Sequence, residues 1–102
     1  MSLPFDEDEQ RLLRFIVRLA KQLIVPRKII LFGSRARRDH HRTSDFDLAF
    51  SGLSSPEAWP EFAAELAEEA PSLCEIDAIN LDENEIDQSI RDSVEKEGVK
   101  IL

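Results

Sequence analysis

The chain has 102 residues, 42% hydrophobic and 33% charged, and its 21 Asp and Glu against 13 Lys and Arg give a net charge of −8. This composition fits one small soluble globular domain, residues 1–102, with a single core and no room for a separate substrate-binding domain. It argues against a broad nucleic-acid surface, which needs Lys and Arg along its length.

No apolar run approaches the roughly 20 residues that span a membrane, so no membrane association is expected. The acidic start lacks the basic and apolar regions of a signal peptide, and the one cysteine, Cys74, forbids an internal disulfide. Together these predict a cytoplasmic protein.

Residues 1–5 read as a loose arm. Asp6 followed by Glu9 is a capping-box pattern, and the run Asp6-Glu7-Asp8-Glu9 suits the positive end of a helix. Leu12, Leu13, Phe15, Ile16, Leu19 and Leu23 recur at helical spacing, which predicts an amphipathic helix of about 18 residues ended by Val25-Pro26. Lys28 to Phe32 is a short run rich in β-branched and aromatic residues and reads as a buried strand.

Gly33-Ser34 ends that strand. Glycine allows a sharp turn and a close approach of a ligand to main-chain N–H groups, and the serine hydroxyl can donate to a phosphate oxygen. A helix opening at residues 35–38 would aim its free N–H groups at the same place. Arg35, Arg37, Arg38 and Arg42, with His40 and His41, make a basic spot in an acidic chain, suited to a triphosphate or a small acidic epitope. Alone, Ser34 also fits a plain helix cap, and the arginines a solvated face. Adjacent His40 and His41 point apart, so they read as loop surface.

Asp45-Phe46-Asp47-Leu48-Ala49-Phe50 alternates, which puts Asp45 and Asp47 on one face of a strand over residues 45–51 and Phe46, Leu48 and Phe50 on the other. Two carboxylates so close raise a pKa or recruit a cation, and oxygen ligands suit Mg²⁺ with substrate phosphates. Two such ions, roughly 3.5 to 4 Å apart, activate an attacking oxygen and stabilise a leaving pyrophosphate. Taken alone, the pair also fits solvent-facing carboxylates on an edge strand.

Residues 52–59 read as a loop. A helix over residues 60–70 carries Phe62, Ala63, Leu66, Ala67 and Ala70 on one stripe, with Pro60 in its first turn and Pro71 after its end. Trp59 fits either the core or a partner contact. Residues 74–81 alternate as a third strand, with Glu75 and Asp77 on one face and Cys74 as a small buried hydrophobe at its start. Asp82 with Glu85 is a second capping-box pattern, which predicts a helix bearing Ile86, Ile90 and Val94, closed by Gly98 at its C′ position. Val99 to Leu102 fit a short edge strand.

The phrase Leu31-Phe32-Gly33-Ser34-Arg35-Ala36-Arg37, a gap of ten residues from Ser34 to Asp45, and then Asp45-Phe46-Asp47-Leu48 resembles the polymerase-β-type nucleotidyltransferase superfamily. More closely it is similar to the minimal nucleotidyltransferases, partners of HEPN-domain proteins in toxin–antitoxin pairs. One departure is Arg38, at a position where the family often has glycine, and it predicts a different loop path after Arg37.

The resemblance implies an α/β (α+β) fold, a small mixed β-sheet with helices packed on one side. It implies a Mg²⁺-dependent nucleotidyltransferase using ATP, with Gly33, Ser34, Arg35 and Arg37 on the nucleotide. Asp45 and Asp47 would be metal ligands, with Asp77 as third ligand or base and Glu75 in reserve. The implied acceptor is a tyrosine of a HEPN-domain ribonuclease toxin, neutralised by AMP. Two alternatives stand beside it: a non-catalytic antitoxin that acts by binding alone, and transfer to a small molecule. Direct nucleic-acid binding is not expected.

Overall fold

The capping box at the start of the first helix, α1 (Glu7–Leu23), forms in full: Asp6 Oδ1 accepts the Glu9 N–H at 2.8 Å and Glu9 Oε1 accepts the Asp6 N–H at 3.2 Å. In this computed structural model, which describes residues 5–39, 45–69 and 75–102, α1 buries Leu12, Leu13, Ile16 and Leu19 along the stripe that the periodicity predicts. The helix ends at Ile24, and Val25 turns the chain at φ +47°, a conformation that a β-branched residue rarely adopts.

The strands follow as β1 (Lys28–Phe32), β2 (Phe46–Ser51), β3 (Ile76–Asn80) and β4 (Val99–Lys100). They form one mixed sheet in the order β3-β2-β1-β4. β1 runs antiparallel to both β2 and β4, and β2 runs parallel to β3. A parallel pair needs a crossover. It is supplied by a 3₁₀ turn (Pro56–Ala58) and α3 (Trp59–Glu69), so the stretch expected to be loop already winds before the helix and Pro60 sits in the first helical turn.

Alternation along the strands decides the layers. Ile29, Leu31, Phe46, Leu48 and Phe50 point to one face and are buried under α1 and α3 with Ile16, Phe62 and Leu66. Trp59 packs at the edge of this core, its ring centroid 5.7 Å from Phe50 and 5.6 Å from Phe62. The opposite face carries Ile30, Phe32, Ala49 and Ile79, and α4 (Gln88–Glu97) buries Val94 and Ile90 against it. The mixed sheet with helices is thus the expected architecture, but covering from one side applies to α1 and α3 only.

The second capping box does not form. Asp82 accepts the N–H groups of Gly52 and Leu53, each at 2.9 Å, and so ties the end of β3 to the end of β2. Asp87 takes the cap instead, accepting the Ser89 N–H at 3.1 Å, and Ile86 lies before the helix. Gly98 follows α4 in an extended conformation, φ −65° and ψ 139°, rather than a left-handed one. Its need for glycine is steric: a Cβ there would strike the Val94 carbonyl oxygen and reach Ile30 Cγ2 at 2.5 Å. The readings of His40, His41, Arg42, Ala70, Pro71 and Cys74 fall outside the described residues.

Candidate active site

β1 and β2 bring the two halves of the motif together. Asp47 pairs in register with Phe32 across the antiparallel ladder and with Asp77 across the parallel one, so the two carboxylates stand side by side on the face away from the Phe46–Phe50 core. Gly33 follows Phe32 at φ +74°, and a Cβ at that position would collide with Asp47 Oδ2 and lie 3.2 Å from its Cγ. Glycine is required here twice, for the backbone turn and for the approach of the carboxylate. Ser34 opens α2 (Ser34–Arg37), a single turn in which Ala36 and Arg37 donate to the Gly33 carbonyl at 3.1 and 3.0 Å.

Asp47 is half-buried and its carboxyl is pushed up to about 6. Burial is the largest cause; the charge of Asp77, a hydrogen bond with Asp77 and the charge of Asp45 add to it, and Arg37 opposes them. Asp45 lies just before β2 and, like Asp77 and Glu75, is exposed. Among the described residues no three His, Cys, Asp or Glu side chains converge as a metal-binding group. The close pair is Asp47 with Asp77.

A cleft of about 980 Å³ opens at this place, lined by Gly33, Arg37, Asp47, Glu75, Asp77 and Glu97 and by apolar side chains from α3 and α4. It wraps around β3, the edge strand of the described sheet. Arg37 Nη1 donates to Glu97 Oε2 at 2.8 Å and its Nε to Asp39 Oδ2 at 3.1 Å. The bonds to Asp39 first and Glu97 second raise its pKa.

Arg35, expected on the nucleotide, is elsewhere. It is 4% exposed, is not among the residues lining the cleft, donates to Glu9 Oε2 at 2.9 Å and lies over the Phe46 ring, 4.2 Å from its centroid. A guanidinium between a buried carboxylate and an aromatic face is satisfied where it stands. Arg38 reaches the same carboxylate, with Nη2 to Oε1 at 2.8 Å and Nη1 to Oε2 at 3.1 Å. The backbone of Arg38 is left-handed, φ +67°, which is the conformation glycine takes freely. Arginine therefore keeps a backbone shape open to glycine at this position, and most of the loop that follows, residues 40–44, lies outside the described residues.

Glu9 itself was legible only as a cap. It is 3% exposed, and although burial pushes its carboxyl up, the bonds from Arg38 and Arg35 and from the Asp6 backbone outweigh burial and leave it at about 2. A signal for its burial is present in the sequence: Glu9 heads the stripe 9, 12, 13, 16, 19, 20, all buried on one face of α1. Glu97 carries no comparable sequence signal, because its pairing with Arg37 spans 60 positions.

The family model for polymerase beta nucleotidyltransferases matches residues 15–102. The chain belongs to that nucleotidyltransferase family. Its structural neighbours include chains of toxin–antitoxin complexes. One is from a crystal structure of a toxin-antitoxin with AMP-PNP, 26% identical, with a TM-score of 0.68 over 88% of this chain and 72% of the other. Another, from the toxin-antitoxin MntA-HepT, is 23% identical with a TM-score of 0.64 over 91% and 71%, and it supports the fold alone. No curated relative matches the chain. No described helix is long and apolar enough to cross a membrane.

Proposed function

We propose that this single domain is a Mg²⁺-dependent nucleotidyltransferase that moves AMP from ATP to a tyrosine hydroxyl of a HEPN-domain toxin and so acts as its antitoxin. The observation that carries the reading is the juxtaposition of Gly33 with Asp47 and of Asp47 with Asp77 in one cleft of a nucleotidyltransferase-family fold. A neighbour described with AMP-PNP in a toxin–antitoxin complex supports both the nucleotide and the partner.

The donor set suits a hard divalent cation. Asp47 and Asp77 offer only oxygen, and burial first and the charge of Asp77 second raise the Asp47 pKa in the protein alone. Mg²⁺ is commonly held by one or two carboxylates together with substrate phosphates, so a close pair suffices. Asp47 and Asp77, with Asp45 beside them, would hold it, and it would supply charge for the phosphates and for the departing pyrophosphate.

The rest of the chemistry belongs to the chain. Gly33 lies against Asp47, and the Gly33-Ser34 turn would offer main-chain N–H groups and the Ser34 hydroxyl to the phosphates. Among the described residues Arg37 is the cation lining the cleft, and it can exchange Glu97 for a phosphate oxygen. Asp77, exposed on the edge strand, is placed to orient the acceptor hydroxyl as it attacks the α-phosphate, with Glu75 next to it in the cleft. Positioning and charge neutralisation supply most of the catalysis in such transfers. The acceptor comes from the partner protein, which meets the open side of the cleft.

The test is to incubate the chain with ATP, Mg²⁺ and the HEPN partner and to weigh the partner intact. A gain of one AMP is expected, and an unchanged mass would overturn the reading. The net charge of −8, which suits docking on a basic partner surface, favours a second reading, an antitoxin that acts by binding alone. In that case Asp45→Asn with Asp47→Asn would still neutralise the toxin.

A further inference from the structure

Helix α2 has four residues, far too few to hold itself in shape, so its position must be imposed by neighbours. The neighbour at its outer side is Glu9. From the first turn of α1 this buried carboxylate receives Arg35 at 2.9 Å and Arg38 at 2.8 and 3.1 Å, and Arg38 Nη1 also donates to the Arg35 carbonyl at 3.0 Å. The same Arg35 lies on the ring of Phe46, the residue between Asp45 and Asp47.

We propose that Glu9 is a positioning residue: through Arg35 and Arg38 it locks the Gly33-Ser34 turn onto the Asp45-Phe46-Asp47 segment and so fixes the spacing between the phosphate turn and the carboxylates. The role of that spacing in nucleotide binding rests on the function proposed above. The locking itself does not.

The chain of contact is continuous. Asp6 caps α1 and its N–H holds Glu9 Oε1, Glu9 holds Arg35 within α2 and Arg38 just after it through two guanidinium groups, and Arg35 carries the restraint to β2. Gly33, at the other end of the same turn, lies against Asp47. Replacing such a buried ionic cluster as a whole by apolar packing is often neutral for stability, so what the cluster adds over such packing is the geometry it imposes. The left-handed backbone of Arg38 fits this account, because the conformation that glycine would take unaided is occupied by a residue whose side chain closes the clamp.

The experiment compares Glu9→Gln with Ile16→Val, a change in the same helix that touches core only. Amide hydrogen exchange at Ala36 and Arg37, whose N–H groups bond to the Gly33 carbonyl, reports the locking without any ligand. Glu9→Gln is expected to speed exchange at these two amides at least about tenfold more than at β1 and β2, whereas Ile16→Val speeds α1 and leaves α2 in step with the sheet. Equal effects of the two variants on α2 would overturn the proposal.

With Mg²⁺ and ATP, Glu9→Gln is expected to weaken binding about tenfold, the usual scale for groups that orient a ligand's direct contacts, and Ile16→Val to leave it unchanged. Failure of the natural chain to bind ATP would count against the proposed function, and the exchange result would still decide the locking. Should Glu9→Gln not fold, Arg38→Gly keeps the backbone shape and removes one arm of the clamp. Selective loosening of α2 supports the proposal, and none overturns it.

Discussion

Two groups of charge flank the Gly33–Arg38 segment, and the fold treats them in opposite ways. At Glu9, two guanidinium groups and a backbone N–H surround one buried carboxylate and hold its pKa down to about 2. At Asp47, carboxylates crowd together with one opposing arginine, itself tied to Asp39 and Glu97, and the pKa rises to about 6. In the proposed function, the completed charge at Glu9 fixes shape and the incomplete charge at Asp47 is left for a ligand.

The largest effect that breaks the contrast is chemical. Asp47→Asn removes the charge but not the shape, so AMP transfer to the partner should fall on the order of a hundredfold or more. The rate of mass gain by the partner measures this, and circular dichroism should show an unchanged fold.

pH separates the two groups next. Asp47 has a folded pKa of about 6 against an ordinary value of 3.8, so in that window the native state holds more protons than the unfolded one. Stability of the metal-free protein should therefore fall as pH rises from about 4 to about 6, the penalty being full above. Asp47→Asn should flatten this window in a thermal melt, and Mg²⁺ should oppose the loss. Glu9 runs the other way: its folded pKa of about 2 lies below its ordinary value of 4.5, so its stabilisation is complete above 4.5 and lost as pH falls toward 2. Glu9→Gln should remove that acid limb.

The smallest effect concerns Arg37. Freeing it by Glu97→Gln should strengthen ATP binding by about threefold, in keeping with the modest worth of a partly exposed ion pair. A weakened affinity would mean that Glu97 aids the nucleotide instead of competing with it.

The fold was largely legible because its elements obey simple periods. The stripe Leu12 to Leu19, the Phe46, Leu48 and Phe50 alternation, and Gly33 at the end of β1 all fall where the sequence predicts. Asp82 misled because a capping pattern is local, whereas its carboxylate answers the N–H groups of Gly52 and Leu53, about thirty positions away. Arg35 misled for the same reason. Next to a phosphate-like turn it reads as a ligand, yet Glu9, 26 positions earlier, claims it. The placement of α4 on the other face depends on strand order, which periodicity along the chain does not reveal.

The central claim is that the uncompensated carboxylates beside Gly33 form a metal-dependent nucleotide site. Calorimetric titration of ATP into the natural chain and into Asp45→Asn, Asp47→Asn, each with and without Mg²⁺, tests it most directly. The account predicts Mg²⁺-dependent binding by the natural chain and a loss of that dependence in the variant. Equal binding by both chains, with or without Mg²⁺, would contradict it.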